Sequence, residues 1–190
     1  SSFALQIFAA REAVFKILAK ESLSIHEKLI VILDMGSKIQ QCINTDEYDN
    51  IKSVVNDYLK EGIAHTLDET RNLSDSGQFE DISLQQGIRQ ILYPYEEMEV
   101  LNPEWEVILK DIIDSLFEQM SDEEYNILNE EFGTYMVSRA YEYRQLLEYL
   151  VFRYFAKSIY DYDFLGKCQM LVTNFFVIRQ MDIIRWLDNH

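Results

Sequence analysis

Three observations predict an all-α fold. Apolar residues recur at helical spacing along nearly the whole chain, only two prolines and six glycines occur in 190 residues, and no segment shows convincing strand character. Helices need few turn residues per unit length, so they tolerate that shortage best. The chain is read as a single all-α domain over residues 1–190 with six to eight helices, the last two long and aromatic-rich. A sub-boundary is expected at a polar loop over residues 70–77.

The elements follow in order. Phe3, Ile7, Ala10, Val14, Ile17 and Leu18 keep one face of an opening amphipathic helix. Ser24-Ile-His-Glu27 has the form of a capping box, and Leu29, Ile32, Leu33, Gly36, Ile39 and Ile43 mark the helix behind it. Thr45 or Asp46 is expected to start a third helix, carried by Ile51, Val54, Val55, Tyr58 and Leu59. The stretch TRNLSDSG, residues 70–77, is polar and lacks periodicity, so it reads as a long loop.

A fourth helix, with Ile82, Ile88, Ile91 and Leu92, is expected to end before Pro94. Asn102 and Pro103 form a helix start, because proline at the first helical position loses no intrahelical bond. Trp105, Ile108, Leu109, Ile112, Leu116 and Phe117 give that helix its apolar face. Ser121-Asp-Glu-Glu124 is a second capping box. From about Phe132 two long helices meet near Tyr160-Asp-Tyr-Asp163, the second running through Leu171, Phe175, Phe176, Ile178, Ile183 and Trp186.

Composition narrows the function classes. Hydrophobic residues make up 48% of the chain, enough apolar surface to offset the entropy of ordering it. The net charge of -16 argues against nucleic acid and against anionic membrane surfaces, since both select positive proteins. No apolar run approaches twenty residues, and Arg11 with Lys16 interrupts the first one, so neither a membrane span nor a signal peptide is expected. Cys42 and Cys168 belong to no CxxC and read as buried free thiols in a reducing cytosol.

The acids are unevenly placed. Residues 96–131 hold thirteen acids against the single base Lys110. Such a run reads either as a solvated helix face or as a docking belt for a basic, lysine-bearing partner, with Glu104, Glu106 and Asp111 as its representatives. Reactive chemistry is harder to find. The glycines are scattered singly, which excludes a Walker loop and a dinucleotide fingerprint. Neither HExxH nor ExxH occurs, and Glu61 with His65 at a spacing of four reads as a surface pair. No catalytic and no metal-binding residue is nominated, and no cofactor-binding residue can be named.

Residues 148–167, EYLVFRYFAKSIYDYDFLGK, place Arg153 between Phe152 and Tyr154 in an apolar run. Arg153, Lys157 and Asp161 fall on one helical stripe beside the apolar face of Leu147, Leu150, Val151, Tyr154, Phe155 and Ile159. Arg153 is therefore expected to be half-buried and tied to Asp161 or Asp163, the two serving as structural polar anchors. Contact with an anion or a substrate is the rival role.

The run YRQLLEYLVFRYFAKSIYDYDFLGKCQMLVTNFFVIRQM resembles the C-terminal helical region of the flagellin lysine-N-methylase family. There an aromatic–Arg–Tyr–Phe run precedes a Tyr-Asp pair and another apolar helix. REAVFKILAKESLSIHEKLIVILDMGSKI is similar to that family's stretch just after its cysteine-rich part. The cysteine cluster itself is not in this sequence, so no catalytic or metal residue carries over. The resemblance implies a bacterial, cytoplasmic protein whose full-length parent transfers methyl groups from S-adenosylmethionine to flagellin lysines.

On this reading the chain alone is inactive, carries no cofactor, and serves as a scaffold or as a part that recruits flagellin or another basic segment. The alternative is a non-enzymatic acidic module for protein–protein interaction, with the aromatic stretch as core or as a homodimer face.

Overall fold

The computed structural model describes residues 2–77, 82–96 and 103–189. All elements among them are helical: α1 Ser2–Leu18, α2 Ile25–Asn44, α3 Ile51–Asp57, α4 Ile63–Asp75, α5 Leu84–Glu96, α6 Pro103–Ile113, α7 Asp122–Met136, α8 Ala140–Tyr154, α9 Ser158–Asp161 and α10 Phe164–Asp188. π-helical turns, Tyr58–Gly62 and Asp114–Glu118, continue α3 into α4 and extend α6. The predicted all-α class is the class observed. The chain divides into two compact units, one of residues 1–77 with 140–172 and one of residues 78–139 with 173–190.

In the first unit α1 and α2 carry much of the core. Ile7, Ala10, Val14, Ile17 and Leu18 are fully buried, as are Val31, Ile32, Met35 and Ile39 on α2. Both capping boxes are formed as the sequence predicts. Ser24 Oγ accepts from the Glu27 amide at 3.2 Å, and the Glu27 carboxylate accepts from the Ser24 amide at 2.8 Å. Gly36 lets α2 approach the start of α10 closely: a Cβ there would lie 2.6 Å from the Cys168 sulfur. Cys42 and Cys168 are free and buried, and burial pushes both thiols up, with the Glu47 charge adding to the effect at Cys42.

The second unit is organised by polar side chains inside its core. Gln85 of α5 is buried and donates to the carbonyls of Leu116 at 2.6 Å and Met120 at 2.9 Å, satisfying acceptors left open at the end of the α6 extension. Tyr125 of α7 donates to Gln180 Oε1 of α10 at 2.9 Å, and burial pushes its phenol up to about 12. Arg179, also buried, bonds the Asn129 side chain and lies 5.2 Å over the Phe132 ring. These bonds fix the register of α7 against α10 in a way that apolar packing alone would not.

Four boundaries differ from the sequence expectation. The polar stretch 70–77 is mostly helix, because α4 runs to Asp75. Its polarity is that of a solvated face: Arg71 pairs with Asp68 at 3.0 Å, and the chain turns only at Gly77, whose φ is 71°. Thr45 caps the end of α2 instead of starting a helix. Asp46 takes a left-handed φ of 59°, and a 3-10 turn, Tyr48–Asn50, precedes α3.

The helix α5 continues past Pro94 to Glu96, where Arg89 and Glu96, two turns apart, pair across the proline. The first of the two long helices is interrupted by 3-10 turns at Val137–Arg139 and Phe155–Lys157. The helix start expected at Asn102 lies partly outside the described residues, which resume at Pro103.

Candidate functional site

The acidic run sorts into two groups once its partners are known. Some acids hold helix ends. Glu124 closes the second capping box, accepting from the Ser121 amide at 2.8 Å, and those bonds hold its carboxyl below the usual range. Asp122 accepts from Ser83 Oγ at 2.6 Å, tying the start of α7 to the start of α5. Glu96 is committed to Arg89. Others are exposed and uncommitted: Glu106, Glu118, Glu123, Glu130 and Glu131 have no ion-pair partner among the described residues. Glu97 and Glu99 of the same run lie outside the described residues.

Glu104, Glu106 and Asp111 are all exposed on α6, but they are not one patch. At about 100° per residue, Glu104 and Asp111 share a face two turns apart and Glu106 points to the flank. Val107 and Ile108 lie between Glu104 and Asp111 on that same outward face, 69% and 36% exposed. Leu109, Ile112, Ile113 and Leu116 form the buried side. Ile108, expected in the core, is instead on the surface. The stripe Glu104–Val107–Ile108–Asp111 thus mixes carboxylates with apolar side chains. Charge is concentrated around it: the second unit carries 17 acids against 5 bases, and the first 16 against 12.

The aromatic stretch of the first unit divides its rings between core and surface. Phe155 and Phe164 are fully buried and meet edge to face at 5.3 Å. Tyr149, Phe152 and Tyr160 point outward at 59%, 67% and 84% exposure. Arg153 is exposed, not half-buried. Its guanidinium lies 5.8 Å from the Tyr154 ring, where Lys157 also sits at 4.9 Å. Asp161 pairs with Lys167 at 2.6 Å, and among the described residues no ion pair joins Arg153 to Asp161 or Asp163. Asp161 also accepts from the Asp163 amide at 3.1 Å, so it does hold the turn between α9 and α10.

A residue that the sequence did not single out organises the same turn. Gln40 of α2 accepts from the amides of Phe164 at 2.8 Å and Leu165 at 3.1 Å and donates to the Tyr162 carbonyl at 2.9 Å. It caps the start of α10 from another helix, a contact separated by more than a hundred residues that no local pattern encodes.

Open grooves flank the π turn Tyr58–Gly62. One of about 330 Å³ is lined by Lys20, Lys60 and Arg71 over an apolar floor that includes Leu59 and Ile63. Another of about 390 Å³ is lined by Asp57, Lys60, Glu61, Gly62 and His65. Among the described residues no group of three His, Cys, Asp or Glu side chains is placed to hold a metal ion, and no helix is long and apolar enough to cross a membrane.

The family model described as the FliB lysine N-methylase C-terminal domain matches residues 11–190. No curated protein and no solved structure matches the chain. The matched span includes the aromatic stretch, the acidic helices and both capping boxes, and the chain belongs to the FliB lysine N-methylase C-terminal domain family.

Proposed function

We propose that this chain recruits the lysine-bearing substrate of a flagellin lysine N-methylase, and that methyl transfer itself is carried out elsewhere in the enzyme. The observation that carries this reading is the outward stripe of α6, in which Val107 and Ile108 are exposed between Glu104 and Asp111 in a unit of 17 acids and 5 bases. A basic protein segment presents the complement, cationic heads on apolar stems. Flagellin is the partner implied by the family resemblance.

The groove of about 330 Å³ is lined by Lys20, Lys60 and Arg71 together with Asp68, which pairs with Arg71, and the groove of about 390 Å³ by Asp57, Lys60, Glu61, Gly62 and His65. No residue of these grooves is assigned to S-adenosylmethionine. By calorimetry the chain alone is expected to show no donor binding, and it should leave flagellin unmethylated. Donor binding together with methylation would overturn this part of the reading.

Recruitment is tested by stopped-flow association with flagellin at low and high salt. Exposed charges are screened over about 10 Å at 0.1 M ionic strength, so association should slow steeply as salt rises. Reversing Glu104, Glu106 and Asp111 to lysine should slow association more than it speeds dissociation, because peripheral charge mainly steers encounter. A rate insensitive both to salt and to the triple reversal would refute recruitment. The outward Tyr149, Phe152 and Tyr160 favour a second reading, a non-enzymatic module whose aromatic face binds another copy. Sedimentation of Phe152→Ala beside the wild type decides that one.

A further inference from the structure

We propose that the groove between α6 and the end of α10 is a subsite for a single protein lysine side chain. The proposal rests on the recruiting role above and names the place where that role is exercised. The groove holds about 200 Å³ and lies within the second unit. Ile108, Ile112, Met181 and Ile184 line it with apolar surface. Asp111 stands on its α6 side and Asp188 on its α10 side.

Neither carboxylate is neutralised. Asp188 has no ion-pair partner among the described residues, and Asp111 has only the Ser115 hydroxyl, at 3.4 Å. Arg185, the one cation on the rim, is drawn to Asp182 at 3.5 Å. The rim therefore keeps a negative balance over an apolar floor.

That combination selects lysine over other side chains. Its four-carbon stem packs on isoleucine and methionine while the ammonium stays at the wet rim between carboxylates. Size agrees, since an apolar cavity of about 150 Å³ accommodates benzene and the lysine side chain has fewer heavy atoms. Arginine would bring a wider planar head to a small slot, and aspartate or glutamate would meet like charge. The outward stripe of α6 leads to the groove, because Ile108 and Asp111 belong to both.

The experiment measures binding of the 190-residue chain to a flagellin peptide carrying one lysine, and to the same peptide with norleucine at that position. Norleucine keeps the stem and loses the charge. The lysine peptide should bind about tenfold more tightly, the sum of two exposed ion pairs near the upper end of their usual range. Asp111→Asn with Asp188→Asn should erase that preference and leave norleucine binding unchanged. Ile184→Ser should weaken both peptides alike, and far-UV circular dichroism checks that each variant is folded.

If the peptide binds with salt sensitivity and Asp111→Asn/Asp188→Asn keeps the lysine preference, the groove is not the subsite and the recruiting role stands. If neither the peptide nor whole flagellin binds at any salt, both are refuted. Equal binding of lysine and norleucine peptides by the wild type also overturns the subsite.

Discussion

Replacing Asp34 with asparagine should destabilise the first unit in a pH-dependent way. Asp34 of α2 accepts from Tyr58 Oη and from Thr66 Oγ1, the latter at 2.7 Å, and Lys38 Nζ lies 3.3 Å away. The same ammonium sits 4.9 Å over the Tyr58 ring. These bonds join α2 to the π turn and to α4, where the i→i+5 bonding leaves the helix locally underwound. Burial pushes the Asp34 carboxyl up, but the hydrogen bonds from Tyr58 and Thr66 together with Lys38 outweigh it, so the carboxyl sits below its ordinary range.

Asparagine keeps the shape and one acceptor oxygen. Hydrogen bonds to a charged acceptor contribute about 1.5–3 kcal/mol and neutral ones about 0.5–1.5, so each hydroxyl bond loses about 1 kcal/mol. The Lys38 pair adds little, because the two side chains are 49% and 33% exposed. The total is about 2 kcal/mol, or a Tm lower by about 4–8 °C for a chain of this length.

A carboxyl depressed in the folded state contributes stability that is full above its unfolded pKa, about 3.9, and is lost as pH falls through the folded value. Urea titrations of wild type and Asp34→Asn should differ by that amount at pH 7 and converge below about pH 4. A difference under about 0.5 kcal/mol at pH 7, or one that persists unchanged at pH 2.5, would refute the argument.

Gly36→Ala should cost about 1–3 kcal/mol despite the better helix propensity of alanine, because the new methyl meets the Cys168 sulfur; adding Cys168→Ala should recover much of the loss in a double-mutant cycle. Lys28 is buried on α2, and burial, with the nearby Arg144 adding to it, lowers its pKa. Its charge then opposes folding at neutral pH, so Lys28→Met should stabilise by on the order of 1 kcal/mol, a gain that fades in alkaline denaturation curves as pH rises through the lowered value towards about 10.4. Arg153→Met should change stability by less than about 0.5 kcal/mol in urea, since the guanidinium is exposed and lies near the Tyr154 ring; a larger loss would restore the buried-anchor role that the sequence suggested.

The fold class and the caps were legible because their causes are local. A capping box is written in four consecutive residues, and Ser24/Glu27 and Ser121/Glu124 form as read. Apolar periodicity likewise marks the buried face of α1 and most of that of α2, and on α6 it finds Leu109 and Ile112 but misplaces Ile108. The misplaced boundaries also have local causes, but ones that compete: a polar stretch without periodicity fits a loop and a solvated helix equally well, and α4 shows the second outcome. Pro94 was read as a stop because its missing donor is a certain loss, whereas the Arg89–Glu96 pair that spans it is visible only in three dimensions. Gln85 and Gln180 are not legible because a glutamine in sequence carries no sign that it will be buried, and Gln40 because its partners at the start of α10 lie more than a hundred residues away.

The acidic run shows the same limit at the level of function. Counting thirteen acids over residues 96–131 treats them as interchangeable, yet Glu96, Asp122 and Glu124 are each bound to a particular donor and contribute to helix ends. Charges fixed in this way still add to the distant field that speeds encounter, because that field depends on net charge and geometry. They add less to a docked contact, since turning towards a partner would break the Glu124 capping bonds, the Asp122–Ser83 bond or the Glu96–Arg89 pair. Close recognition is thus left to the acids without such duties, and Asp111 is the one among them that also borders apolar surface on a second helix. Steering and seating are therefore separable. Neutralising Glu118, Glu123, Glu130 and Glu131 should slow association with flagellin and leave the dissociation rate nearly unchanged, while Asp111→Asn with Asp188→Asn should raise the dissociation rate. If both sets acted only on association, the acidic face would be a steering field with no seat in it.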